Sequence, residues 1–143
     1  MDHEMALPRE LAGLALNIME IFKQEIRGKA GEAAPTLAQF RMLYVIKGGV
    51  RQVGKLSEVL GVSQPAASLM VNGLVKDGLL TRTPHPRDRR QIGLKLTAKA
   101  EAGFEGVNHS AFKNIHAKLA ELPAARKKAL ALQLREISAL LSP

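Results

Sequence analysis

Residues 53–97 read VGKLSEVLGVSQPAASLMVNGLVKDGLLTRTPHPRDRRQIGLKLT, and this stretch determines the predicted fold. It predicts a short helix, a turn at Gly61, a second helix that begins after Ser63, and two strands joined by an arginine-rich tip. This order of elements is typical of a winged helix-turn-helix. In that fold one helix enters a groove of DNA and a charged hairpin lies beside it.

The helix predicted after Ser63 has two distinct sides. Ser63 is a favourable N-cap, Gly78 is a typical residue just after a helix end, and Pro65 in the first turn needs no hydrogen-bonded N–H. At 100° per residue, the inward side carries the apolar residues Ala67, Met70, Val71 and Leu74. The side expected to meet DNA carries Ser63, Gln64, Pro65, Ser68, Leu69, Asn72 and Lys76. Among these residues the polar side chains can contact base edges, Leu69 can touch a thymine methyl, and Lys76 is best placed for phosphate.

The two predicted strands, residues 79–83 and 91–96, form a hairpin wing. In the second strand Ile92, Leu94 and Leu96 are expected to point inward. The tip between the strands contains Arg87, Asp88, Arg89 and Arg90. An arginine inserted into a narrow minor groove uses the negative potential of that groove, and we assign this role to Arg90. Asp88 is expected to hold the Arg90 guanidinium by a charge-assisted hydrogen bond, while Arg87 and Arg89 contact phosphates.

Other helices are predicted on both sides of this segment. A helix of about 20 residues is expected after Pro8 and a second one after the N-cap Thr36. The inward residues expected for the second helix and for the short third one are Leu37, Phe40, Leu43, Tyr44, Ile46, Leu56, Val59 and Leu60. Thr97 caps a fifth helix, and Pro123 starts a sixth. The predicted fold is therefore mainly α, with six helices and a small β-hairpin wing.

The first and last helices both carry apolar stripes. The stripes consist of Leu11, Leu14 and Ile18 in the first helix and of Leu130, Leu134, Ile137 and Leu141 in the last. Such stripes can cover the core of a small module, but two of them flanking a compact centre favour a two-fold dimer. We therefore expect dimerisation helices at 1–35 and 99–143 around a DNA-binding domain at 36–98.

Charge and composition restrict the class of protein further. The formal net charge is +8 and the isoelectric point is near 10.1, which implies an anionic partner. Charge alone does not separate DNA, RNA and an anionic membrane. The chain has no cysteine, which excludes disulfides and thiolate metal sites. It has no apolar run long enough to span a membrane, and its acidic start does not resemble a signal peptide, so we expect a cytoplasmic protein.

Catalytic and metal sites have little support in the sequence. His109 and His116 lie seven residues apart on a predicted helix, whereas metal-binding pairs on helices usually lie four apart. No phosphate-binding glycine loop, nucleophile elbow or carboxylate pair is present. We therefore expect no enzymatic activity, no cofactor and no metal.

The sequence resembles the MarR family of bacterial and archaeal transcription regulators along nearly its whole length. Residues 88–97 are similar to the Asp-x-Arg wing of the family followed by a strand that ends in Leu-Thr, and residues 56–80 match its helix-turn-helix. The resemblance implies an obligate dimer built from the terminal helices and a pseudo-palindromic DNA operator. One departure is Leu69, which stands where many members have an arginine in the recognition helix.

The resulting hypothesis is a dimeric, sequence-specific regulator, expected to be a repressor whose operator affinity a small ligand alters. The resemblance places the usual ligand crevice between the dimerisation helices and the winged module. Apolar candidates for that crevice are Met19, Phe22, Phe40 and Tyr44. Two alternatives remain: a non-specific architectural DNA binder, and an interaction adaptor that keeps the fold without binding DNA.

Overall fold

Six helices and one two-stranded hairpin follow one another in the computed structural model, which describes residues 4–30, 35–84, 87–88 and 90–142. The elements are α1 (Ala6–Ala30), α2 (Leu37–Lys47), α3 (Val53–Leu60), α4 (Gln64–Lys76), β1 (Leu80–Pro84), β2 (Ile92–Leu96), α5 (Ala98–Lys118) and α6 (Ala124–Leu141). By contact density the chain divides into two units, Met1–Ala111 and Phe112–Pro143. The fold class predicted from the sequence is confirmed.

Three of the helices begin at side-chain caps. The Thr36 hydroxyl accepts a hydrogen bond from the backbone N–H of Gln39, and the Gln39 side chain accepts one from the backbone N–H of Thr36. Ser63 accepts from the N–H of Ala66, and Thr97 accepts from the N–H of Ala100. All three predicted caps are confirmed. Caps can be predicted from the sequence because they depend on residues close together in the chain.

The core of the winged module is built by α2, α3, α4 and the hairpin. Its large, deeply buried side chains include Met42, Leu56, Leu74, Leu80 and Leu94, each at most 2% exposed. Each of these elements therefore contributes one apolar face to a shared core, which fixes the direction of α4 relative to the hairpin.

A second, smaller core joins α1, α2 and α5. It contains Ile26, Phe40, Phe104 and Val107. The rings of Phe40 and Phe104 are stacked, with their centroids 5.0 Å apart. Aromatic pairs of this geometry add to the energy of burial, so the contact anchors α5 to α2.

The hairpin strands are antiparallel, with Leu80 opposite Leu96 and Pro84 opposite Ile92. The backbone N–H of Leu94 also donates to the carbonyl of Arg51 at 3.0 Å, so the segment between α2 and α3 lies beside β2. The inward orientation predicted for Ile92 is wrong, since its side chain is 58% exposed. It lies at the far end of the hairpin, beyond the core that covers Leu94.

Three further predictions require correction. Helix α1 begins at Ala6 and not after Pro8, because a proline in the first turn sacrifices no helical hydrogen bond. Tyr44 was predicted to point inward but is 62% exposed, and its ring lies against Phe104 with centroids 6.0 Å apart. Val59 is also exposed, since the short helix α3 buries mainly Leu56.

The unit Phe112–Pro143 contains the end of α5 and the whole of α6. Within the described part of the chain, α6 has no buried residue. Its exposed apolar side chains are Leu132, Leu134, Leu140 and Leu141. A helix with this many exposed leucines is unusual for a monomeric protein surface.

Candidate nucleic-acid interface

Helix α4 is presented at the surface by the turn that precedes it. Gly61 ends α3 in the left-handed conformation, with φ of 66°, and Ser63 starts α4 two residues later. The inward side of α4 is held by Ala67, Val71 and Leu74 in the core. The opposite side consequently faces away from the module.

That outward side contains the residues predicted from the helical period. Pro65, Leu69, Asn72 and Lys76 are exposed, and Leu69 is exposed to 74%. Ser63 and Gln64 are also exposed at the start of the helix, whereas Ser68 is half-buried. The amide nitrogen of Gln64 lies close to Gly54 of α3. A Cβ added at Gly54 would be 3.6 Å from that nitrogen, which is ordinary van der Waals contact.

The outward side of α4 contacts the wing through one side-chain pair. Arg82 on β1 donates a hydrogen bond from Nη2 to Oδ1 of Asn72. The sequence predicted contacts with base edges for Asn72, and the structure adds its contact with Arg82. The two residues are ten apart and belong to different elements, so helical or strand periodicity gives no signal for their contact.

The wing tip carries exposed charged residues. Arg87, Asp88 and Arg90 are all exposed, whereas Arg89 lies outside the described residues. The Asp88 carboxylate accepts a hydrogen bond from the backbone N–H of Arg90 at 3.0 Å, and its carbonyl accepts one from the N–H of Gln91. The Asp88 carboxylate thus shapes the turn, and the ion pairs found among the described residues do not include the bond expected from Asp88 to the Arg90 guanidinium.

A groove with a volume of about 650 Å³ lies at the base of the wing. It is lined by Gly49, Val50, Arg51, Gln52, Lys55, Thr83, Pro84 and Gly93. The Gln52 side chain donates to the Gln91 side chain at 2.6 Å, which ties the start of α3 to β2. Arg51 and Gln52 were not singled out in the sequence, because they belong to neither the recognition helix nor the arginine-rich tip.

Ser57 belongs to α3 but not to this exposed surface. It is only 9% exposed, and its hydroxyl donates to the Gly54 carbonyl at 2.7 Å. Lys55 remains exposed and pairs with Glu58 at 3.0 Å. An exposed pair of this kind is weak, so the Lys55 ammonium stays available to a phosphate.

A separate cavity of about 470 Å³ lies within the first unit. Its lining is mainly apolar and includes Ile26, Phe40, Leu43, Phe104 and Val107. Lys29, Asp77 and Lys99 also line it, and Lys99 Nζ donates to the Asp77 carbonyl at 3.2 Å. Of the four apolar candidates for a ligand crevice, Phe40 lines this cavity, while Met19 and Tyr44 are exposed.

The described part of the chain offers neither a metal cluster nor a membrane-spanning helix. No group of three or more His, Cys, Asp or Glu side chains could hold a metal ion there. None of the described helices combines the length and the apolar character that crossing a membrane requires.

The chain is similar to known proteins in sequence. A family model described as the MarR family matches residues 35–91, which run from the start of α2 to the wing. The HTH-type transcriptional repressor MdtR of Bacillus subtilis (strain 168) is 29% identical over 101 residues. That match covers 68% of this chain and 65% of the relative, so it spans slightly less than two thirds of that protein.

Solved structures share the whole architecture. A transcriptional regulator of Thermotoga maritima is 28% identical, with a TM-score of 0.71, and the match covers 94% of this chain and 93% of that one. A MarR family protein of Bacillus stearothermophilus has a TM-score of 0.86 at 19% identity and covers 100% of this chain and 99% of its own. The second likeness concerns the fold alone.

Proposed function

We propose that this chain is a dimeric transcription regulator of the MarR family that binds a specific DNA operator and represses transcription. The observation that carries the proposal is the combination of an exposed outward side on α4 and exposed arginines on the adjoining wing. Repression is supported by the name of the Bacillus subtilis relative.

In the proposed complex α4 enters the major groove. Gln64, Ser68 and Asn72 face base edges, and Leu69 contacts a thymine methyl. Lys76 binds a phosphate, and the N-terminus of α4 at Ser63 offers its backbone N–H groups to another.

The wing is proposed to follow the neighbouring minor groove. Arg90 enters that groove, where the close phosphates create a strongly negative potential. Arg87 and Arg89 lie on the sugar-phosphate backbone. Arg51 and Lys55 at the base of the wing extend the same positive surface.

Dimerisation is supported by the apolar side chains exposed on α1 and α6. Leu14, Ile18, Leu134 and Leu141 are exposed, and Leu11, Leu130 and Ile137 are half-buried. A second copy of the chain covering these residues would remove them from water. A two-fold pair would also present two α4 helices to successive major grooves, which requires a separation of about 34 to 36 Å.

Modulation by a small ligand is supported by the cavity in the first unit. Its volume of about 470 Å³ lies within the range of ordinary small-molecule sites. The lining is mainly apolar and also includes Lys29, Lys99 and Asp77; two cations against one carboxylate suit a compact apolar molecule with one negative charge. Such a ligand would alter DNA affinity if it bound more tightly to one separation of the two α4 helices.

Selection of bound sequences from a random pool of duplexes tests the main proposal. The selected duplex is then competed against bulk DNA, and we expect affinity for it to exceed non-specific affinity by at least about a thousandfold. A ratio near one would support the architectural alternative. Failure to bind any duplex at low salt would support the adaptor alternative.

A further inference from the structure

The contact between Arg82 and Asn72 fixes the orientation of an amide on the outward side of α4. Both side chains are exposed, and Nη2 of Arg82 donates to Oδ1 of Asn72. A guanidinium has N–H donors and no acceptor, so only the oxygen of the Asn72 amide can face it. The amide nitrogen is thereby directed away from Arg82.

This orientation limits what Asn72 can recognise. An asparagine reads adenine by accepting from N6 through its oxygen while donating to N7 through its nitrogen. Arg82 uses one of the two lone pairs of the oxygen and holds the oxygen toward the wing, so the groups turned away from Arg82 are the two N–H donors of Nδ2. Guanine presents two neighbouring acceptors, N7 and O6, in the major groove, and adenine presents a donor beside its acceptor.

Arg82 has no competing acidic partner in the described part of the chain. The ion pairs there involve Lys23, Lys47 and Lys55 with nearby glutamates, and none includes Arg82. A hydrogen bond from a charged donor is stronger than one between neutral groups. Rotating the Asn72 oxygen toward a base would require that bond to break.

We propose that Arg82 is a positioning residue that makes Asn72 a hydrogen-bond donor, so that the operator base facing Asn72 is guanine. The inference rests on the proposed function, because it concerns base recognition by α4. It adds to that function the base preference at one operator position, and it makes Arg82 on the wing the residue that determines this preference.

The test compares the operator preferences of four proteins selected from the same random duplex pool. The base facing Asn72 is identified as the position whose preference disappears in Asn72→Ala. We expect guanine at that position for the unaltered protein. We expect Arg82→Met to lower the affinity ratio of guanine over adenine there by about tenfold or more, with other positions unchanged.

Lys95→Met provides the matched control. Lys95 is an exposed cation on β2 of the same hairpin, so this variant loses the same charge without altering the Asn72 contact. It should weaken binding to all sequences alike and keep the guanine preference. Circular dichroism of each variant checks that the chain is folded.

Several results would overturn the proposal. One is any base other than guanine at the Asn72 position in the unaltered protein. Another is an Arg82→Met variant that behaves like Lys95→Met, since that would assign Arg82 to phosphate alone. If no variant or parent selects any sequence, the proposed function fails as well, whereas a defined operator that lacks guanine at that position refutes only this inference.

Discussion

Lys47 at the end of α2 lies with its Nζ 2.7 Å from a carboxylate oxygen of Glu101 on α5. The same ammonium is 2.6 Å from Glu105 and lies over the ring of Phe104, 5.0 Å from its centroid. One cation therefore bridges two turns of α5 and joins that helix to α2. The contact lies beside the stack of Phe40 on Phe104, so ion pairing and aromatic packing both stabilise the contact between α2 and α5.

The Lys47 bridge predicts a change in stability at alkaline pH. Hydrogen bonds to Glu101 and then to Glu105 raise the pKa of Lys47 above its ordinary value of 10.5. Because the pKa is raised in the folded state, the stabilisation is fully present below about pH 10.5 and is lost as the pH rises through the folded-state pKa. Lys47→Met should therefore lower the urea midpoint at pH 8, and the difference from the parent should shrink above pH 10.5.

Lys113→Met is the control for this experiment, since Lys113 is exposed on α5 and belongs to no ion pair found among the described residues. Its midpoint should follow the parent across the same pH range. A difference between Lys47→Met and the parent that stays constant up to pH 12 would contradict the role of the ammonium charge.

The turn between α3 and α4 predicts a cost for a side chain at position 61. Gly61 has φ of 66°, and a Cβ there would meet no atom within 4 Å, so the cost comes from the backbone alone. Gly61→Ala should lower the free energy of unfolding by about 1 to 2 kcal/mol. Gly73 lies within helix α4, and a Cβ there would also meet no atom within 4 Å. Gly73→Ala should therefore raise the free energy of unfolding by about 0.5 to 1 kcal/mol. Urea titrations at one protein concentration measure both, and a neutral Gly61→Ala would remove the strain argument.

Local features of the fold could be predicted from the sequence, and tertiary ones could not. The caps at Ser63 and Thr97 and the turn at Gly61 depend on residues within a few positions of one another. The inward orientation predicted for Tyr44 was wrong because helical periodicity identifies the apolar face of a helix but does not show how much of that face a neighbouring element covers. The Arg82 contact with Asn72 joins two elements, so it emerges only when α4 and β1 have packed together.

The hydrogen bond inside the wing turn predicts different effects for two changes at position 88. The Asp88 carboxylate accepts from a backbone N–H, and an asparagine oxygen can accept in the same way. Asp88→Asn should therefore bind the selected operator at least as tightly as the parent, since it also removes a negative charge near DNA. Asp88→Ala should bind more weakly than Asp88→Asn. Equal weakening in both variants, measured by fluorescence anisotropy, would point instead to a bond that requires the carboxylate charge.

Arg90 and Lys76 are predicted to contribute to DNA binding in different ways. Arg90→Ala should lower operator affinity by about 1 to 3 kcal/mol. Lys76→Ala should weaken operator and bulk DNA alike and reduce the slope of log affinity against log salt by about one unit. Anisotropy titrations over a series of salt concentrations separate the two effects. Operator affinity unchanged by Arg90→Ala would refute the assignment of that residue to the minor groove.

The cavity in the first unit predicts that filling it abolishes a ligand response without abolishing DNA binding. Gly103 lines the cavity on α5, and a Cβ at that position would meet no atom within 4 Å, so Gly103→Leu can extend into the open volume. Benzoate serves as the probe because it combines an apolar ring with one negative charge. We expect millimolar benzoate to change the operator affinity of the parent and to leave Gly103→Leu unaffected.

Two comparisons make this cavity test specific. Benzamide has nearly the same shape without the charge, and it should act more weakly if Lys29 and Lys99 attract the carboxylate. Gly28→Leu also adds a leucine to a helix at a glycine with no atom near the new Cβ, but Gly28 does not line the cavity, so this variant should respond like the parent. A Gly103→Leu protein that still responds to benzoate would place the ligand elsewhere. If Gly28→Leu also lost its response to benzoate, the effect would be due to helix stability and not to the cavity. The two variants gain the same helix propensity and differ only in the position of the new side chain.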